Sequence, residues 1–365
     1  MRIVRLLAVV LVVLLLLAGC SDASRYSDSI NSGGGKKPAH VLAELLKIHF
    51  IDVGQGDCVL VQMPGSRTMM VDAGESDHAG SVIRYMNELG VRRIDYLIAT
   101  HPHSDHIGAL PRIIKSFNIG AVFMPKVVSS TPAYERLLLA IRDKNLKAAA
   151  LRKGTFILNE PELKIECMSP ASADYQELND WSAVLRIEYG SKGFLLTGDA
   201  GRTAEHEMIK TGESLRADVI KISHHGSSDA SSYAFLQRVR PEYAVIAVGK
   251  DNDYGHPHQQ TLDSLESIGT RIYRTDRDGT VVISCDGQKI SFVSQQAGSL
   301  PRAPSVKSSQ NVNQKNGGPF IGNRRSHKFH LIQCDNLPGE QNRVYFDDRE
   351  EAVAAGYSPC GSCRP

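Results

Sequence analysis

The sequence has almost no excess of charge of either sign: 42 Lys and Arg stand against 40 Asp and Glu, a formal balance of +2. Bulk electrostatics therefore neither demand nor exclude a polyanionic partner. Long apolar runs are scarce, and the run Leu6–Ala18 is too short to span a bilayer comfortably. No polytopic membrane channel is visible, so any transport would need another protein. The seven cysteines follow no pairing pattern: one stands at position 20 and three in the last stretch, which leaves Cys58, Cys167 and Cys285 scattered. A disulfide framework is not indicated.

What is present begins with Arg2 and Arg5 ahead of the apolar run, the arrangement of a signal-peptide h-region. Leu17-Ala18-Gly19-Cys20 resembles the bacterial lipobox, in which cleavage precedes a cysteine that is then diacylated. The expectation is a lipoprotein signal peptide over 1–19, lipidation at Cys20, and a protein held on the outer face of the cell membrane. An uncleaved membrane anchor is the alternative, and it also puts the catalytic part outside the cytoplasm. Residues 20–43, rich in Ser, Asp, Gly and Lys, read as a flexible tether.

Residues 44–294 are enough for one large α/β domain or two coupled halves. Apolar or alternating runs at Leu46–Val53, Cys58–Met63 and Thr68–Asp72, separated by Gly54-Gln55-Gly56-Asp57 and Pro64-Gly65-Ser66, predict short antiparallel strands. Helices are expected over Ser81–Leu89, with Ser81 in the N-cap region and Gly90 as the stop, over Gly108–Phe117 and over Tyr134–Lys144. Further strands are expected at Ala121–Met124, Leu163–Met168, Ala183–Tyr189 and Gly193–Thr197. Strand-rich halves punctuated by helices favour sheets packed on each other with helices outside.

The densest chemistry lies in Thr100-His101-Pro102-His103-Ser104-Asp105-His106, directly after the apolar run Ile94–Ala99. Ligands at i and i+2 of an extended chain share a face, so His101 and His103 can hold one ion, while Asp105 and His106, past the bend, reach another. Asp199 follows the apolar strand Gly193–Thr197, where its carboxylate can bridge two cations or cap the helical stretch Ala204–Lys210. His224 and His225 follow the apolar run Ala217–Ser223, and spacing does not say which of the two is a ligand. Asp72 ends Met69-Met70-Val71 as a support for the metal loop or as a turn residue. Lys221 and Lys250 read as solvated cations or anion contacts.

Together, Phe50–Asp57, His101–His106, Leu195-Leu196-Thr197-Gly198-Asp199, Ser223-His224-His225-Gly226-Ser227 and Tyr254-Gly255-His256-Pro257-His258 resemble the hydrolase domain of ComEC-type competence proteins. That domain belongs to the metallo-β-lactamase fold, an αββα sandwich with a di-metal site at its strand ends. The resemblance implies metal ligands at His101, His103, Asp105, His106, Asp199 and the His224/His225 pair, with Asp105, His106 and Asp199 serving catalysis. It implies support from Asp72, and phosphate contact or proton donation by His256 and His258. The redox branch of the fold replaces ligands in this loop and carries a flavin domain, and nothing flavin-like is present. The chain departs from the family at Leu178-Asn179-Asp180-Trp181-Ser182, where a histidine is expected. Asn179 or Asp180 then supplies oxygen in its place, which weakens one site and shifts preference from zinc toward manganese.

Residues 295–318 are rich in Ser, Gln, Asn, Gly and Pro and read as a linker. In 319–365, His330, Cys334, Cys360 and Cys363 have the spacing of one tetrahedral structural zinc, with a Cys360–Cys363 disulfide as the alternative. This segment resembles the metal-binding domain of the Ada methyl-phosphotriester repair protein. His330 replaces that family's methyl-accepting cysteine, so methyl transfer is not expected. The functional expectation is a lipid-anchored, metal-dependent phosphodiesterase, a nuclease on extracellular DNA serving uptake or degradation. A phosphodiesterase on teichoic acid or phosphorylcholine and a non-catalytic DNA-binding surface lipoprotein are the competing readings.

Overall fold

A computed structural model describes residues 45–297, 320–331, 334, 337–339, 342–346, 349–361 and 363. The expected signal peptide, Cys20, the tether and nearly all of the 295–318 linker lie outside the described residues. The chain divides into two compact units, Met1–Ala303 and Pro304–Pro365. Among the described residues no helix is long and apolar enough to cross a membrane.

The first unit opens with β1 (Leu46–Phe50), β2 (Val59–Gln62) and β3 (Thr68–Val71), an antiparallel meander, and continues with β4 (Arg93–Ile98), β5 (Asn118–Met124) and β6 (Ala148–Ala150) in parallel. A second sheet repeats this division: β7 (Phe156–Asn159), β8 (Leu163–Ser169), β9 (Val184–Tyr189) and β10 (Lys192–Leu196) are antiparallel. β11 (Val219–Lys221), β12 (Tyr243–Ile246) and β13 (Arg271–Arg274) then extend it in parallel from β10. β14 (Val281–Cys285) and β15 (Ile290–Ser294) return to the first sheet, β14 pairing with β1. No strand is expected after the apolar run Ala217–Ser223, so this closure is found only in the structure.

Strand alternation sends one face of each sheet inward. Ile48, Phe50 and Val61 of the first sheet meet Ile165, Leu185, Ile187 and Phe194 of the second in one buried core. The other faces are covered by helices. Ala79–Glu88, Leu110–Ser116 and Pro132–Asp143 pack on Leu60, Met70 and Leu97, and Arg202–Lys210, Tyr233–Val239 and Gln259–Ser267 pack on Leu195, Ile220 and Ala244. The four layers are helix, sheet, sheet, helix, as expected.

Boundaries differ in instructive ways. The helix expected from Ser81 begins at Ala79, because Ser81 Oγ donates to the His78 carbonyl at 2.7 Å and does not cap the first turn. Pro132 opens its helix behind Thr131, whose hydroxyl accepts from the Tyr134 amide at 3.4 Å.

Phe50 is 1 % exposed between the sheets, whereas Val128 is 92 % exposed. Phe50→Ala is expected to cost about 3–5 kcal/mol in urea unfolding, and Val128→Ala less than about 0.5 kcal/mol. Equal midpoints for the two variants would contradict the two-sheet core.

Candidate metal centre

In both parallel halves the chain leaves each strand at the same rim, where ligand sites of open α/β sheets collect. Asp72 follows β3, the histidine loop follows β4, Asp199 follows β10, and His225 follows β11. One ligand-type atom from each of Asp105, His106, Asp199 and His225 falls within 4.8 Å of the others. Asp199 Oδ2 lies 3.1 Å from His106 Nε2, 3.5 Å from His225 Nε2 and 3.9 Å from His101 Nε2. His101 Nε2 also lies 3.0 Å from His103 Nδ1. The His101 ring lies between its loop neighbours, its centroid 4.7 Å from that of His103 and 4.2 Å from that of His106.

The rings are aimed by their rear nitrogens. His106 Nδ1 bonds Asp72 Oδ2 at 2.8 Å, and Asp72 also accepts from the Thr100 amide at 2.8 Å. Asp72 therefore orients the metal loop, from a left-handed backbone conformation with φ 54°. His225 Nδ1 bonds the Ala247 carbonyl at 2.8 Å, leaving Nε2 toward Asp105 at 3.2 Å. Consecutive left-handed residues, His224 at φ 49° and His225 at φ 53°, send the two adjacent side chains apart. His224 lies at the rim, 3.0 Å from Asp229 and 3.3 Å from Asn179 Nδ2. The choice that spacing leaves open falls on His225 as the residue in the cluster.

Other sequence expectations change. Asp199 does not cap the following helix: Gly201 stands at that position. Asp180 faces the same helix, with Oδ1 accepting from the Ala204 amide at 3.2 Å, so it is not an oxygen donor to the cluster. Asn179 Oδ1 is buried and has no hydrogen-bond partner. His256 lines the cavity beside the cluster, but His258 does not; its Nδ1 accepts from the Ser228 amide at 3.0 Å and steadies the loop behind His225.

Lys221, read from sequence as a solvated cation or an anion contact, is 1 % exposed. Its ammonium donates to Asp57 Oδ2 and, at 2.7 Å, to the Gly198 carbonyl, and lies 3.5 Å from Asp199 Oδ1. Burial alone would push its pKa down, but Asp57 and Asp199 hold it above the ordinary lysine value. Asp57 is the residue sequence reasoning underused; its place in Gly54-Gln55-Gly56-Asp57 is the available signal. Gly56 lets that loop dock: at φ 132° a Cβ there would stand 2.2 Å from the Asp105 carbonyl oxygen.

These groups suit divalent metal. His106 Nε2 and Asp199 Oδ1 are buried without hydrogen-bond partners. Burial, with His106 nearby, pushes His101 well below the usual imidazole range, so it is neutral, the form that binds metal. The open side is a cavity of about 560 Å³ lined by His103, Asp105, Asp199, His225 and His256, among others. In the second unit, His330, Cys334, Cys360 and Cys363 also bring ligand atoms within 4.8 Å of one another. The four-stranded sheet there, order β18–β16–β17–β19, comprises β16 (Phe320–Asn323), β17 (Lys328–Leu331), β18 (Arg343–Phe346) and β19 (Ser358–Pro359). β17 carries His330, and β19 leads directly into Cys360.

Lys221→Met leaves Asp57 and Asp199 buried without their cation and is expected to destabilise the protein by about 3–5 kcal/mol. Chemical denaturation measures this, and a loss under about 1 kcal/mol would mean the ammonium is dispensable.

ComE operon protein 3 of Bacillus subtilis is 32% identical over 252 residues, covering 64% of this chain and 32% of that protein. Competence protein ComA of Neisseria gonorrhoeae is 30% identical over 232 residues, covering 63% of this chain and 31% of that protein. The chain thus spans about a third of the length of these curated relatives. Among solved structures, CmlA, a diiron β-hydroxylase from Streptomyces venezuelae, aligns at 14% identity with a TM-score of 0.44, covering 63% of this chain and 52% of that one; a likeness this loose carries no argument. The metal binding domain of Ada matches residues 308–365, and the metallo-beta-lactamase superfamily matches residues 51–250, more than half of the chain. With the sandwich and its metal-suited rim in place, the chain belongs to the metallo-β-lactamase superfamily, as a metal-dependent hydrolase carrying an Ada-type metal-binding domain.

Proposed function

We propose that this chain is a lipid-anchored extracytoplasmic phosphodiesterase that hydrolyses DNA, in uptake or degradation. The observation that carries the reading is the convergence of Asp105, His106, Asp199 and His225 within 4.8 Å, with Asp105, Asp199 and His225 lining an open cavity. The competence proteins among its relatives support nucleic acid as the substrate. Cys20, in its lipobox-like context, supports the anchor.

Asp105, His106 and His225 would hold one divalent cation, His101, His103 and Asn179 a second, and Asp199 both. Zinc or manganese there supplies the Lewis acidity that activates water and neutralises charge on a scissile phosphate. Asn179 presents a harder donor than the histidine otherwise expected at this position, which makes the His101 side the weaker and the more tolerant of manganese. Lys221 and Asp72 keep the carboxylates and imidazoles in place without touching substrate. Burial, and after it His224, lowers the His256 pKa to about 4, so this ring meets substrate as a neutral base or hydrogen-bond partner.

Asp199→Ala is expected to lower DNA hydrolysis by several kcal/mol, about a thousandfold, in assays with manganese or zinc. Failure of the unaltered protein lacking residues 1–20 to cut single- or double-stranded DNA with any divalent metal would refute the nuclease reading.

The second unit would hold one structural zinc through His330, Cys334, Cys360 and Cys363. Its buried apolar cluster among the described residues is Phe329, Phe346 and Ala352, too little to stabilise a fold alone. Cys334→Ser is expected to lower zinc content by about one equivalent per chain, read by elemental analysis, and to expose this unit to proteolysis. Unchanged zinc content and protease resistance would exclude a structural metal.

A further inference from the structure

Tyr254 is the part of the cavity wall that hydrolysis alone leaves unused. It lines the same cavity as Asp105, Asp199 and His225, yet is 67 % exposed. A single exposed aromatic means little by itself. Here, however, one side chain fixes the loop beneath it. Asn252 Nδ2 donates to the carbonyls of Gly249 at 3.0 Å and His256 at 2.7 Å, and its Oδ1 accepts from the amides of Tyr254 at 3.2 Å and His256 at 3.0 Å. The ring is also aligned with those below it. Tyr254 stacks on His256 at 5.6 Å and 22°, and His256 on His225 at 6.5 Å and 28°. Near-parallel rings thus step from the mouth of the cavity to the metal-suited cluster. Arg136, exposed on the helix Pro132–Asp143, lines the same cavity and adds a planar cation suited to phosphate.

We propose that Tyr254 is a stacking platform for a nucleobase beside the scissile phosphate, with Arg136 on a neighbouring phosphate, so that the site takes unpaired nucleic acid. The assignment rests on the phosphodiesterase reading above. In a duplex each base face is covered by its neighbours. A ring at the cavity mouth can therefore be covered only by a strand whose bases are free to splay, and such stacking is tolerant of sequence.

The test is fluorescence anisotropy of a labelled, cleavage-resistant phosphorothioate oligothymidylate, about twelve nucleotides long, against the full chain. Tyr254→Ala is expected to weaken binding about tenfold, the contribution of one stacked base. Tyr254→Phe should retain wild-type affinity, and Tyr233→Ala, a ring 48 % exposed that does not line the cavity, should have no effect. A phosphorothioate duplex should bind the wild type about tenfold more weakly than the single strand. Equal affinity of Tyr254→Ala and wild type, or of duplex and single strand, overturns the proposal. Hydrolysis of bis-p-nitrophenyl phosphate, which carries no base, is measured in parallel on the wild type. Hydrolysis without Tyr254-dependent binding removes the platform and leaves the phosphodiesterase. Tyr254-dependent binding without hydrolysis does the reverse.

Discussion

A single buried ammonium sets the spacing on which the rest of the site depends. Asp57 belongs to the first sheet's loops, whereas Asp199 and the Gly198 carbonyl end a strand of the second, and Lys221 reaches all three. Ion pairs in such places contribute little net stability compared with well-packed apolar groups, because desolvation offsets much of the attraction. Their effect is geometric. The charge cannot shift toward one carboxylate without leaving the other exposed in a dry interior, so the ends of two separately built sheets are held in register.

Around that anchor the site is built by occupying one end of each imidazole. Asp72 takes one nitrogen of His106 and the Ala247 carbonyl one of His225, so each ring has a single face to offer. The left-handed pair at His224 and His225 does similar work in the backbone, converting two adjacent side chains into one that points inward and one at the rim. Conformations of this kind cost free energy locally and persist only where surrounding contacts fix them.

What could be read from sequence follows from what strands require. Apolar runs that end abruptly in His or Asp announced both the sheets and the rim, and the layered fold follows from those runs. Periodicity is silent where the outcome depends on tertiary contact. Lys221 sits in an apolar run, but nothing local reveals the two carboxylates that permit its burial. Asp180 looks like a neighbour of Asn179, yet it serves a helix more than twenty residues onward at Ala204. His258 shares a motif with His256 while its ring is committed to the Ser228 amide. Likewise β14 and β15 return to the first sheet across most of the unit, a pairing no local window contains.

That return governs how the hydrolase unit is threaded. Phe50 is aligned with Val281, and Val281 with Ser294, so the last strand ends on the rim that carries the ligands, while the first strand begins at Leu46 on the opposite rim. The hydrolase unit is therefore entered on the rim away from the ligands and left on the rim that carries them.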